Sequence, residues 1–183
     1  HLSRNKTKVI ANIRQALLQG TYQLQPLTMC HGYSRWSAGD AVVLKAVSMV
    51  ISEALGVKPL SHLSKSSHSH DAIDVSSASH LKGQGGIKGA LSKAHSIASS
   101  KRYHFMIKTD IKSFYQSINH QILLSQCSKV IQDTRILELI EQYCERCEII
   151  RGHHTVVKNK GIPMGCPLSP LMGAVYLTPV DKM

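Results

Sequence analysis

Apolar positions recur along this chain with two periods, and the places where the period changes mark its organisation. In KVIANIRQALL, residues 8–18, Ile10, Ile13 and Leu17 fall at helical spacing and Gly20 ends the run, which predicts a helix. TYQLQPL continues as a short extended piece broken by Pro26. From Ser37 to Leu55 the signal is strongest. Val43, Leu44, Val47, Val50, Ile51, Ala54 and Leu55 form one apolar stripe that stops at Gly56, predicting a helix with a core face.

Residues 60–80 break the pattern. The run SHLSKSSHSHDAIDVSSASH has no apolar period and is predicted as loop. HLKGQGGIKGAL then passes from a Gly-rich turn into a helix over about 87–99. HFMIKTDI, residues 104–111, reads as a buried strand ending in an acid. A further helix spans about 133–147, with Ile136, Leu137, Ile140, Tyr143 and Cys147 on one side. EIIRGHHTVVK has the form of a β-hairpin turning at Gly152. In GIPMGCPLSPLMGAVYL, Ser169 and Pro170 have the form of an N-cap followed by proline at the first helical position. No internal repeat is evident. A helix-rich first half and a strand–helix–hairpin–helix second half predict an α+β fold.

Composition narrows the class. The 183 residues suit one moderate domain or two small subdomains, and 43% hydrophobic content is ordinary for a globular chain. No apolar run approaches the roughly 20 residues needed to span a bilayer. Arg4, Lys6 and Lys8 lead into no signal-peptide core. A chain that begins at His1 and stops at Met183 in mid-pattern is expected to be a fragment. Five cysteines at spacings unlike a disulfide scaffold predict a reducing, cytoplasmic setting.

Charge adds a partner. The net charge is +11, and 15 of the 22 basic residues but only 5 of the 11 acidic ones lie at or before Lys112. Such a surface favours a polyanion through counterion release. A merely solubilising face is the plainer alternative, and no basic amphipathic helix supports a membrane partner.

Three stretches could carry chemistry. KTDIKSFYQSINH delivers Asp110 at the end of the predicted strand, with Phe114 and Tyr115 four and five residues on. The acid suits Mg²⁺, a hard cation that takes oxygen ligands and shares them with substrate phosphates. An aromatic ring there can floor a sugar. A strand-end Asp capping its own turn is the competing reading. In HLKGQGGIKGAL, Gly83, Gly85 and Gly86 permit close backbone approach, and Lys82 and Lys88 flank them as candidate nucleic-acid contacts. The spacing fits neither GxxxxGK[ST] nor GxGxxG, so a solvated loop competes. CERC, with His153 and His154 beyond it, and the histidines of 60–80 offer zinc ligands. The cysteines of CERC fall on or near an apolar helical face, where free Cys is usually core.

Taken in order, IKTDIKSFYQSINH and GIPMGCPLSPLMGAVYLTPVDKM resemble two palm motifs of the bacterial reverse transcriptases, close to the group II intron and retron types. The first resembles Asp-x-x-x-x-Phe/Tyr. The second resembles Pro-Gln-Gly-x-x-x-Ser-Pro. WSAGDAVVLKAVSMVISEAL and HLKGQGGIKGAL are similar to the fingers segments, so the likeness covers nearly the whole chain. The resemblance implies a right-hand polymerase with fingers at 1–102 and a partial palm at 103–183, built as an antiparallel sheet packed by helices. A fingers helix and hairpin are inserted at about 121–160. It implies that Asp110 is the first catalytic carboxylate holding Mg²⁺ and that the Ile111 carbonyl helps. Tyr115, beside Phe114, becomes the steric gate beneath the sugar. Met164 and Gly165 line the nucleotide pocket, and Ser169 and Pro170 open the following helix as part of the nucleic-acid-facing motif. It implies two Mg²⁺ ions, an RNA template, a DNA or RNA primer, dNTPs, and a structured intron or non-coding RNA as a further partner. The reaction would be attack of a primer 3′-hydroxyl on the α-phosphate, releasing pyrophosphate.

This sequence departs from that family twice. Met164 stands where the Gln is expected, and Met cannot donate an amide hydrogen bond. The Tyr-x-Asp-Asp motif with the second catalytic acid is absent, for the chain holds no Asp-Asp pair. The fragment alone is therefore expected to be inactive. A non-catalytic RNA-binding module of the same fold and a small metal-binding regulator are the other readings.

Overall fold

A computed structural model describes residues 6–30, 33–55, 86–100, 102–157 and 159–181. Helix α1 (Lys6–Leu18) ends where Gly20 takes φ +68°, and the Thr21 amide returns to the Ala16 carbonyl at 2.9 Å. A left-handed residue at this point closes off the last turn, and only glycine adopts it without strain. Two short strands follow, β1 (Leu27–Cys30) and β2 (Tyr33–Arg35).

Helix α2 (Ala38–Ala54) starts at Ser37, whose hydroxyl accepts from the Asp40 amide at 3.1 Å. Asp40 is buried and fully engaged. Its carboxylate accepts from Tyr22 Oη at 2.8 Å, Ser37 Oγ at 2.6 Å and the Gln25 amide at 3.2 Å. Burial and this carboxylate together push the Tyr22 phenol well up from its ordinary value. The predicted stripe holds for Val43, Leu44, Val47 and Ile51, which are buried, but Val50 is 51% exposed. Val50 borders an apolar groove of about 520 Å³ that also touches Ile10, Leu17, Val42 and Ile136. Gly56, the Ser/His-rich run and Lys82 lie outside the described residues.

Helix α3 (Gly86–Ser99) forms where expected but buries nothing; Lys88 is exposed on it. The predicted strand 104–111 does not form. The segment pairs with no described strand, and Phe105, Met106 and Ile107 are each 88% exposed or more. A run of apolar residues supplies strand propensity, but a strand needs a neighbour for its backbone groups. No described residue supplies one.

Two short helices missed by the periodicity come next, α4 (Phe114–Ser117) and α5 (His120–Ser128). The side chain of Asn119 caps α5 by accepting from the Ile122 amide at 3.1 Å. Helix α6 (Thr134–Cys144) stops before the predicted end, so Cys147 belongs to strand β3 (Cys147–Ile150) rather than to a helix face. Strand β4 (His153–Val156) completes the hairpin, which turns at Gly152 as predicted. Helix α7 (Ser169–Asp181) ends the described chain.

The sheet order is β2–β1–β3–β4. It is mixed rather than purely antiparallel: two antiparallel hairpins are joined by a parallel β1–β3 pair with Thr28 opposite Ile149. The parallel junction joins the first part of the chain to the hairpin, so the sheet crosses the two halves read from sequence. Beneath it, Leu27, Leu44, Ile118, Leu123, Ile140, Tyr143, Leu168, Leu171 and Met172 form one core. The architecture is α+β, as the sequence predicts.

Candidate active site

Four elements meet around residues 161–165. The turn after Asp110 enters α4 through Ser113, a non-glycine residue at φ 52°. That left-handed step redirects the chain and sets Phe114 and Tyr115 side by side, ring centroids 5.5 Å apart. Both rings are half-buried, and burial raises the Tyr115 phenol above its ordinary value. They lie on α7 at Gly173. A Cβ there would fall 2.9 Å from Tyr115 Cε1 and 3.1 Å from Phe114 Cε1. Glycine lets both rings lie against the helix, since a side chain there would have to displace them.

The loop bearing Met164 and Gly165 is tied to the same turn by its backbone. The Gly161 amide donates to the Ile118 carbonyl at 2.8 Å, and the Ile162 amide donates to the Tyr115 carbonyl at 2.9 Å. On its far side the loop meets the sheet, where Ser34 Oγ donates to the Met164 carbonyl at 2.6 Å. The Met164 side chain is 54% exposed, with its sulfur 3.7 Å from Gln116 Nε2. Gly165 takes φ +78° with open space where a Cβ would be, so conformation rather than crowding favours glycine there.

Ser169 lies inside the helical residues and is not the cap the sequence suggests. Its hydroxyl donates to the Pro163 carbonyl and lies 2.7 Å from Tyr143 Oη, both deep in the core. Tyr143 stacks on Trp36, centroids 6.4 Å apart, so the far end of the loop is braced by a buried aromatic pair. Burial pushes the Tyr143 phenol and the Cys166 thiol up from their ordinary values. Pro170 follows in the first turn of α7.

Asp110 and Ile111 are exposed at the end of the extended segment. Asp110 makes no hydrogen bond or ion pair with a described residue, so the competing reading of an acid capping its own turn fails. Its carboxylate oxygens are hard donors of the kind a divalent cation takes. Among the described residues no three His, Cys, Asp or Glu side chains converge on one point, so a single carboxylate fits half of such a site. The CERC reading changes accordingly. Cys144 is buried in the core, and among the described residues the Cys147 thiol has a hydrogen-bond contact with His154 Nδ1 alone, at 3.5 Å. Thus Asp110, Phe114, Tyr115, Met164, Gly165 and Ser169 belong to two stretches joined directly by hydrogen bonds. Lys88 lies on α3, whose residues are all outside the core.

The reverse transcriptase (RNA-dependent DNA polymerase) family profile matches residues 41–183, most of the chain, including everything from Asp110 through the Met164–Gly165 loop and α7. The chain belongs to the reverse transcriptase family. Two solved structures share its fold, both at a TM-score of 0.60 and 18% identity over 100% of this chain. They are a partial Cas6-RT-Cas1–Cas2 complex and a Cas6-RT-Cas1–Cas2 complex. The chain spans 30% of the matched polypeptide in the first and 19% in the second. No curated protein matches it significantly. No helix among the described residues is long and apolar enough to cross a membrane.

Sequence reasoning passed over Gly173, Gln116, Ser34, His120 and Arg146. Four of these lie inside the motifs quoted above, Gln116 in KTDIKSFYQSINH and Gly173 in GIPMGCPLSPLMGAVYL among them. His120 closes the stretch SFYQSINH, and Arg146 sits between the cysteines of CERC, whose thiols are the more conspicuous candidates.

Proposed function

We propose that this reverse transcriptase segment carries the first catalytic carboxylate and the nucleotide-facing loop of an RNA-directed DNA polymerase. We assign residues 1–102 to fingers and 103–183 to a partial palm with the 121–160 insertion. The pair of backbone hydrogen bonds that fastens Gly161 and Ile162 to the Ile118 and Tyr115 carbonyls carries the reading. It holds the acid-and-aromatic turn against the Met164–Gly165 loop, as one nucleotide pocket would require.

In this reading Asp110 and the Ile111 carbonyl would hold a divalent metal, which we assign as Mg²⁺. When bound, the metal would supply charge neutralisation at the triphosphate and a lowered pKa at the primer hydroxyl. The chain's own residues do the rest. The Tyr115 ring, fixed by Gly173 and Phe114, floors the sugar and leaves no room for a 2′-hydroxyl. Met164 contacts the nucleotide by packing, and Gly165 lets the backbone approach it. Lys82, Lys88 and the other basic residues of the first half hold template and primer backbones. The chain has no Asp-Asp pair, so this reading draws the second catalytic acid from outside these 183 residues. Partners are then an RNA template, a DNA or RNA primer and dNTPs, in the cytoplasm.

Primer extension on an RNA template by the full-length protein tests this. Asp110→Asn should abolish extension and leave RNA binding intact. Extension unchanged by that substitution would refute the role given to Asp110. RNA binding without extension by the unmodified protein would favour a non-catalytic RNA-binding module, which the single carboxylate also suits.

A further inference from the structure

Two buried side chains converge on one backbone oxygen outside the residues assigned above. The Gly161 carbonyl accepts from Arg146 Nη1 at 3.0 Å and from His120 Nε2 at 2.9 Å. A carbonyl only accepts, so the imidazole carries a proton on Nε2. Each donor is itself held. Arg146 pairs with Glu148 at 2.6 Å and donates to the Cys144 carbonyl at 3.3 Å. The His120 amide donates to the Asn159 carbonyl at 2.9 Å.

The arrangement is poor if stability is its only purpose. His120 Nδ1 and Arg146 Nε are buried without a hydrogen-bond partner among the described residues. Such orphans are destabilising, and an apolar side chain of similar volume would remove them. What the arrangement does achieve is local. Gly161 sits at φ +94° with its own amide bonded to the Ile118 carbonyl, and the next amide is bonded to the Tyr115 carbonyl. Four hydrogen bonds therefore fix two consecutive residues immediately before Pro163, Met164 and Gly165. Beyond that point the described side-chain hydrogen bonds to the loop come from Ser34, on the sheet, from Ser169, on α7, and, weakly, from Gln116 to the exposed Met164 sulfur.

We propose that His120 and Arg146 are positioning residues: by gripping the Gly161 carbonyl together they set the path of the Met164–Gly165 loop and thereby the affinity for the incoming nucleotide. This rests on reading that loop as the nucleotide wall. Neither residue needs to touch the nucleotide. His120 sets the angle of the carbonyl, and Arg146 fastens it to β3 through Glu148.

His120→Leu separates this from a packing role, because the Gly161 carbonyl keeps its Arg146 donor and the orphaned Nδ1 disappears. In the full-length protein the melting temperature should hold or rise. The dNTP KM should rise roughly three- to tenfold, the range of one net hydrogen bond, with kcat and template–primer affinity little changed. His120→Gln, which can place an amide N–H near the position of Nε2, should restore the KM. Arg146→Lys, which cannot reach Glu148 and the Gly161 carbonyl together, should raise it again. Hydrogen exchange adds a readout independent of activity. The Gly161 and Ile162 amides should exchange faster in His120→Leu and in Arg146→Lys while core amides of α2 and α7 stay protected. An unchanged KM with unchanged local exchange would overturn the proposal, as would uniform loss of protection. If the unmodified protein extends no primer, the polymerase reading fails by itself, and the exchange pattern still decides whether the two residues hold the loop.

Discussion

The Ile162 amide donates to the Tyr115 carbonyl at 2.9 Å, so the residue beneath the proposed sugar site and the loop beside the proposed base site share one hydrogen bond. Neither side chain is involved. The coupling is main chain to main chain, and it is available only because Gly161 turns the loop with φ +94°.

Gly161→Ala should break that coupling. The new Cβ would meet the Gln116 carbonyl oxygen at 3.2 Å in a conformation L residues resist. Strain of this kind costs on the order of 1–3 kcal/mol. Thermal denaturation should show that loss, and the dNTP KM should rise because both amide bonds shift. Gly165→Ala, at φ +78° but with nothing within 4 Å of its Cβ, should be the milder of the two.

That coupling was legible in the sequence only in part. Residue type and spacing singled out Asp110 and Tyr115 as candidates, the family resemblance added Met164, and the helices 6–18, 38–54 and 86–99 showed in periodicity and end signals. What escaped were features decided by distant partners. Residues 104–111 have the composition of a strand but no described neighbour to pair with. Cys147 continues the apolar face of α6 in sequence, yet pairing with Val156 draws it into the sheet. Helix α4 is too short to show a period. His120 and Arg146 act through a carbonyl, which no side-chain pattern records. Val50 sits on the predicted stripe and faces a groove because α1 and α6 do not close over it.

Gly173→Ala should uncouple stability from sugar selection. Alanine in a helix interior is favoured over glycine by about 1 kcal/mol, while overpacking costs about 1–3 kcal/mol. The net change in stability should therefore be small. The ring of Tyr115 has to give way, since its Cε1 would lie 2.9 Å from the new Cβ. The ratio of dNTP to rNTP incorporation should change several-fold. An unaltered ratio would mean that Tyr115 does not sit beneath the sugar.

Met164→Gln should be nearly neutral for folding. The side chain is 54% exposed and its carbonyl, not its sulfur, is the atom bonded to Ser34. Exposed substitutions of this kind stay within about 0.5 kcal/mol. If Met164 faces the nucleotide by packing alone, an amide at that position adds a hydrogen-bonding group and the dNTP KM should fall. Steady-state kinetics with single dNTPs would reveal the change, and an unaltered KM would remove Met164 from the pocket.

The buried thiols make alkaline instability a specific expectation. Burial pushes Cys127 and Cys144 each up to about 12, the first against Met172 Sδ at 4.0 Å and the second within the core beneath the sheet. An unfolded thiol ionises near pH 8.5. Above that pH the unfolded chain has released protons that the folded chain retains, so the folded state binds more and stability falls as pH rises. The stabilisation is fully present below about pH 8.5 and is lost as pH climbs through the folded value near 12. Each thiol contributes a slope approaching roughly 1.4 kcal/mol per pH unit within that window. Urea denaturation at pH 8, 9 and 10 should show the decline, and Cys127→Ala should flatten it while lowering stability at pH 8 through the cavity it leaves. Mapping of alkylated peptides gives an independent check: at pH 8 the folded chain should take up label at Cys147, which is only partly buried, well ahead of Cys127 and Cys144. Equal labelling of the three would show that the core around α5 and α6 opens far more readily than its packing implies.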